Sequence, residues 1–110
     1  MKPTYSPKIS KAIESLVNNP ADTTPELRKA IEAYAATLSG GTRKASPISD
    51  DLRPYINKVV RHAYKITDKD VQQLKEAGYS EDAIYELTLC AAMGASLARL
   101  ECGLEALRGI

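Results

Sequence analysis

Between Leu87 and Ala98 the chain reads LTLCAAMGASLA, twelve residues that are apolar or small at nearly every position. Ser80 is placed to cap a helix here, and Glu81 and Asp82 favour its positive end. The helix can run from Glu81 to about Leu107. A helix that is apolar all round must be buried all round. Twelve such residues are too few to cross a bilayer but suit the centre of a bundle. Ala91, Ala92, Gly94, Ala95 and Ser96 let neighbouring backbones come close. After Arg99 the pattern turns amphipathic, with Leu100, Leu104 and Leu107 on one face. A chain of 110 residues has few other helices to surround this one. A second subunit is therefore expected to cover part of it.

Four further helices are expected. The first spans roughly Pro7 to Asn18, with Ile9, Ala12, Ile13, Leu16 and Val17 as its apolar stripe and Ser6 as its cap. The second spans Pro25 to Leu38. Thr24 caps it, Leu27, Ala30, Ile31, Tyr34 and Leu38 form its buried face, and Gly40-Gly41 stop it. The third spans Asp50 to Tyr64, capped by Ser49 or Asp50, with Leu52, Tyr55, Ile56, Val59, Val60 and Ala63 inward and Lys58, Arg61 and Lys65 on the opposite face. The fourth spans Asp68 to Ala77, between a Thr67 cap and a left-handed stop at Gly78. There are six Tyr and no Trp or Phe, so Leu, Ile, Val and Ala must build the core. The expected fold is an all-α bundle of about five helices in one domain, 1–110, with an N-terminal hairpin (1–39) and a core (50–108). The stretch GGTRKASP joins them as a loop. It lacks the preceding strand and the glycine-lysine spacing of a phosphate loop.

With 15 basic and 14 acidic residues the net charge is +1, which offers no field for nucleic acid. No leader-like segment opens the sequence and no eighteen consecutive apolar residues occur, so the expectation is a cytoplasmic protein with no membrane contact. On one helix Cys90 and Cys102 stand about 18 Å apart along the axis, too far for a disulfide within the chain. Both read as small buried hydrophobes.

The segment DLRPYINKVVRHAYKITDKDVQQLKEAGYSEDAIYELTLCAAMGASLARLECGLEAL, Asp51 to Leu107, resembles the core of the carboxymuconolactone decarboxylase and alkylhydroperoxidase D-like family. The resemblance lies in the helix phasing, the Ala-Gly-Tyr-Ser-Glu-Asp turn at residues 77–82 and the small-residue helix. Thiol-bearing members of that family carry a glutamate, eleven residues, Cys-x-x-Cys, three residues and a histidine. An Ala-Gly pair follows about twelve residues after the second cysteine. Anchoring that pair on Ala77 and Gly78 places the cysteines at Ala63 and Ile66, the histidine at Asp70 and the glutamate at Asp51. A methyl and a sec-butyl group cannot supply a thiolate, and a carboxylate does not relay protons as an imidazole does. The resemblance thus implies an alkylhydroperoxidase-like fold and homo-oligomers, and the residues imply no thiol peroxidase activity.

Two functions are open on these residues. One is a non-thiol relative that self-associates and serves as a binding or scaffold module, with a small-molecule ligand in what remains of the site. The other is a non-redox enzyme doing proton-transfer chemistry, decarboxylase-like, on a small carboxylate or lactone. In that reading His62 is the base, Asp51 and Asp70 orient it, Arg61 anchors a carboxylate and Tyr64 lines the cavity. Each residue also has a plainer explanation. Asp51 and Asp70 sit where helix capping alone would put an acid. His62, the single histidine, reads equally as a partly exposed helix residue. Arg61 belongs to a solvated basic stripe, and Tyr64 to packing. Neither a metal nor a cofactor is expected, since one histidine among scattered carboxylates has no ligand spacing. Glu86, near the apolar centre of the long helix, would need Arg61 or Arg99 as a partner if buried.

Overall fold

The computed structural model describes residues 8, 11, 14–16, 21–41 and 47–109. Among these there is no strand; the fold is all-α, as its patterning predicts. Residues 8, 11 and 14–16 are helical, and the rest of the expected Pro7–Asn18 helix lies outside the described residues, as does 42–46 of the loop. Helix α1 spans Pro25–Leu38, α2 Arg53–Arg61, α3 Asp68–Glu76 and α4 Glu81–Arg108, with a single 3-10 turn at Ala63–Lys65 between α2 and α3.

Local chemistry sets most of these ends. The hydroxyl of Thr24 accepts from the Leu27 amide at 3.2 Å, and that of Ser80 from the Ala83 amide at 3.0 Å. Each satisfies one of the donors a helix start leaves open. At α3, Thr67 and Asp70 form a full capping box. The stops need left-handed backbone, and Gly40 (φ +91°) and Gly78 (φ +106°) supply it. Past Gly40, the Gly41 amide turns back onto the Ala36 carbonyl at 2.8 Å.

Helix α2 differs from expectation at both ends. Neither Ser49 nor Asp50 caps it through a side chain; the Ser49 carbonyl instead accepts from the amides of Leu52 and Arg53, each at 3.1 Å. It stops at Arg61, three residues before the expected Tyr64, because His62 leaves the helical region (φ −145°, ψ 51°). Beyond Val60 the apolar stripe offers only Ala63, whose methyl gives too little burial to hold another turn. Arg99 of α4 completes the stop, its guanidinium donating to the Val60 carbonyl at 3.0 Å.

The core lies where α1 and α2 pack on the first two-thirds of α4. Ile31, Leu52, Ile56, Leu87 and Cys90 are its largest fully buried side chains. Helix α1 lies chiefly against α4, and Gly94 makes the close crossing feasible: a Cβ there would collide with the Glu32 carbonyl. The tyrosines stitch the edges. Tyr34 donates to Asn57 at 2.9 Å, joining α1 to α2. Tyr55 pairs with Thr88 at 2.7 Å, joining α2 to α4, and Thr88 in turn donates to the Ile84 carbonyl. Helix α3 contributes Leu74, which is 3% exposed.

Within one chain the long helix is left partly uncovered, since Leu89, Ala92 and Ser96 face outward. Cys102 is exposed, its thiol 3.6 Å from the Gly40 carbonyl, so only Cys90 is a buried hydrophobe. By length and composition α4 is also apolar enough to cross a membrane, although the count of consecutive apolar residues suggested otherwise. Of its most apolar stretch, 44% is buried inside the protein, and the core helices of soluble proteins share this length and composition.

Glu86 finds neither Arg61 nor Arg99. Its carboxylate accepts from the Thr23 amide (2.9 Å), the Thr23 hydroxyl (2.7 Å) and the Asp22 amide (3.1 Å), strapping the entry of α1 to α4. Burial pushes its pKa upward, but these donors, with Arg28 nearby, outweigh burial and hold it below the usual 4.5. A folded-state pKa below the unfolded one adds stability that is complete above pH 4.5 and lost as the pH falls through the lower folded value. We expect Glu86→Gln to cost about 1–2 kcal/mol at neutral pH, with the difference from the parent closing in acid. Urea melts at neutral pH and in the acid limb check this; an unchanged gap at low pH would rule out the charge as its source.

Candidate functional site

Helices α2 and α3 and the turn before α2 form a cleft of about 280 Å³ lined by Asp51, Pro54, Tyr55, Lys58, Asp70, Gln73 and Leu74. Pro54, Tyr55 and Lys58 reach it from the first two turns of α2, Asp70 from the first turn of α3, and Asp51 from the turn before α2. It therefore gathers two of the residues singled out from the sequence, Asp51 and Asp70.

Both acids are already engaged. Lys58 places its ammonium 2.9 Å from each oxygen of Asp70. The Asp70 carboxylate also accepts from the Thr67 amide at 2.9 Å, so it serves as helix cap and cross-helix ion pair together. The bonds from Lys58, then that from Thr67, hold its carboxyl below the usual carboxylate range. Lys58 consequently does not belong to the solvated stripe expected for it with Arg61 and Lys65. Asp51, exposed, accepts from the Tyr79 hydroxyl at 3.3 Å. Burial, then the charge of Asp51, raises the pKa of that phenol, which stays protonated at neutral pH.

The other residues lie elsewhere. His62 is exposed at the end of α2, where its ring meets Tyr64 edge-on with centroids 6.1 Å apart. Tyr64 is 81% exposed on the 3-10 turn, with the Lys65 ammonium 5.9 Å from its ring. It lines no cavity. Arg61 and Ala63 are exposed and Ile66 is half-buried. Ala63 thus lies on a solvent-facing turn and Ile66 packs partly against the core, and His62 does not join Asp51 and Asp70 in the cleft. Among the described residues no three His, Cys, Asp or Glu side chains are grouped as a metal site.

Sequence reasoning missed two buried charged residues. Arg28 is 2% and Glu32 4% exposed, both on α1 facing α4. Arg28 donates to the Leu16 carbonyl at 3.1 Å. Their signal was present: on a helical wheel both stand beside Ile31 and Ala35, four residues apart. Both also flank Cys90, whose thiol burial pushes up to about 11. A thiol protonated at neutral pH is no nucleophile. Comparison of the chain with family models, with curated proteins and with solved structures finds no match.

Proposed function

We propose that this chain is a non-thiol relative of the carboxymuconolactone decarboxylase and alkylhydroperoxidase D-like family, working as a self-associating binding or scaffold module without peroxidase activity. The observation that carries this reading is the outward side of α4, where Tyr85, Leu89, Leu100 and Leu107 are exposed on the longest helix of the described fold. Large apolar side chains aligned on one exposed face mark an interaction surface. The lack of peroxidase activity follows from the chemistry of the aligned positions. Ala63 and Ile66 carry no thiol, Asp70 is bound to Lys58, and Cys90 is buried and protonated. The setting this reading assumes is cytoplasmic.

Light scattering at concentrations up to about 100 µM tests self-association, with a dimer or larger species expected. A clean monomer throughout would contradict it. Peroxide consumption with a thiol reductant should remain at background, and turnover that depends on Cys90 or Cys102 would overturn the non-thiol assignment.

A second reading has one observation in its favour: Asp51 and Asp70 share a cleft. There the chain would carry out proton transfer on a small carboxylate or lactone. With Asp70 paired to Lys58 and His62 outside, the cleft holds no neutral imidazole base. Thermal-shift screening with small carboxylic acids and lactones, followed by product analysis of any that stabilise, separates the readings. Conversion of such a compound that disappears in Asp51→Asn favours the enzyme; binding without conversion favours the binding module.

A further inference from the structure

The outward side of α4 has an internal order that exposure alone does not convey. From Tyr85 it steps four, three and four residues through Leu89 and Ala92 to Ser96. It then repeats four, three and four through Leu100 and Gly103 to Leu107. An eleven-residue repeat advances about 3.67 residues per turn, close to the 3.6 of a straight α-helix. The seam therefore runs nearly parallel to the axis for about 33 Å, with little supercoil to impose on a partner. All seven positions are exposed and none is charged.

Its positions are placed symmetrically about Ser96, and the sizes at the inner ones are complementary. Seven positions to one side lies Leu89, and seven to the other Gly103. Four to each side lie Ala92 and Leu100, and eleven to each side Tyr85 and Leu107. Turn the helix end for end about Ser96 and each inner leucine meets a small residue: Leu89 faces Gly103, and Leu100 faces Ala92. Only the end pair, Tyr85 with Leu107, sets large against large. Parallel pairing in register would instead stack leucine on leucine and leave a gap at glycine, and gaps forfeit contact energy.

We infer that α4 pairs with α4 of a second copy of this chain, antiparallel, on a two-fold axis through Ser96. The proposal rests on the self-association reading above and specifies its geometry. A two-fold interface must be complementary to itself, and this seam is. Antiparallel packing also sets the positive end of each helix beside the negative end of its neighbour. With no charge on the seam, like-charge repulsion does not oppose it. A strip about 33 Å long and 10 Å wide covers roughly 330 Å² per subunit, below the roughly 800 Å² per partner of a standard stable interface. The dimer is accordingly a weak, reversible one.

Cysteine cross-linking under mild oxidation decides the geometry, in a Cys102→Ser background that removes the exposed native thiol. A disulfide requires Cα atoms within about 7 Å, a condition only residues meeting on the seam satisfy. Ser96→Cys should link to itself. Tyr85→Cys and Leu107→Cys should each stay unlinked alone and link to one another when the two variants are mixed. Ala92→Arg, which sets a charge against Leu100 of the second copy, should weaken the dimer at least about 10-fold while leaving helicity unchanged. Self-linking of Tyr85→Cys would overturn the proposal in favour of a parallel pair. Oligomers by light scattering without a Ser96→Cys link would overturn this geometry and leave self-association standing. A monomer that instead floats with phosphatidylcholine vesicles would overturn both and assign the seam to lipid.

Discussion

Gly94→Ala should destabilise the protein by about 3 kcal/mol, the reverse of what this substitution does in an open helix. In a solvated helix interior alanine is favoured over glycine by about 1 kcal/mol. At Gly94 an added Cβ would stand within 3.0 Å of the Glu32 carbonyl carbon and 3.2 Å of its Cα, and closer still to the oxygen. These are backbone atoms in the middle of α1, so no side-chain rotation relieves the clash. The helices must separate, which loosens packing around Ile31, Ala35 and Ala91. Overpacking of this kind costs about 1–3 kcal/mol, occasionally more. Gly103→Ala is the matched control, since nothing lies within 4 Å of its added Cβ. Measured below the concentration of self-association, it should stabilise α4 by up to about 1 kcal/mol. Thermal melts of the pair make the comparison. A neutral Gly94→Ala would mean that α1 and α4 do not cross where the structure places them.

Leu87→Ala should cost about 3 kcal/mol and lower the melting temperature by roughly 12 °C. Leu87 is 1% exposed at the centre of the core, and truncation leaves a cavity lined by neighbours held on three helices. Leu107→Ala removes the same atoms from a side chain that is 67% exposed. It should change monomer stability by less than about 0.5 kcal/mol and should weaken self-association. The pair thus separates the two roles of α4, one face as core and the other as seam. Equal melting temperatures for the two variants, in dilute solution, would show that the faces had been assigned wrongly.

How far the chain could be read from its residues depends on the distance over which each feature is determined. Thr24, Thr67 and Ser80 were identifiable as caps, and Gly40 and Gly78 as stops, because each acts on backbone groups a few residues away. The bounds of α1 follow from such signals alone. The end of α2 was not identifiable, because Arg99, 39 positions from Val60, supplies the hydrogen bond that closes it. The candidate site divides in the same way. Asp70 was legible as a capping acid, and its pairing with Lys58 was not, since two helices must dock before those side chains meet. His62 and Tyr64 seemed to belong with Asp51 and Asp70 through alignment and proximity in sequence. A turn that ends α2 early carries them to the surface instead.

The helical class, the caps and the stops could be read from the residues, because these depend on residue type and on spacing within a turn or two. Tertiary structure alone decided which side of α4 is core and which is left open. A helix apolar on nearly every face carries no preferred direction of its own, and burial is assigned by the neighbours that dock. Here α1, admitted closely by Gly94, takes one side together with α2, and the seam centred on Ser96 is what they leave uncovered.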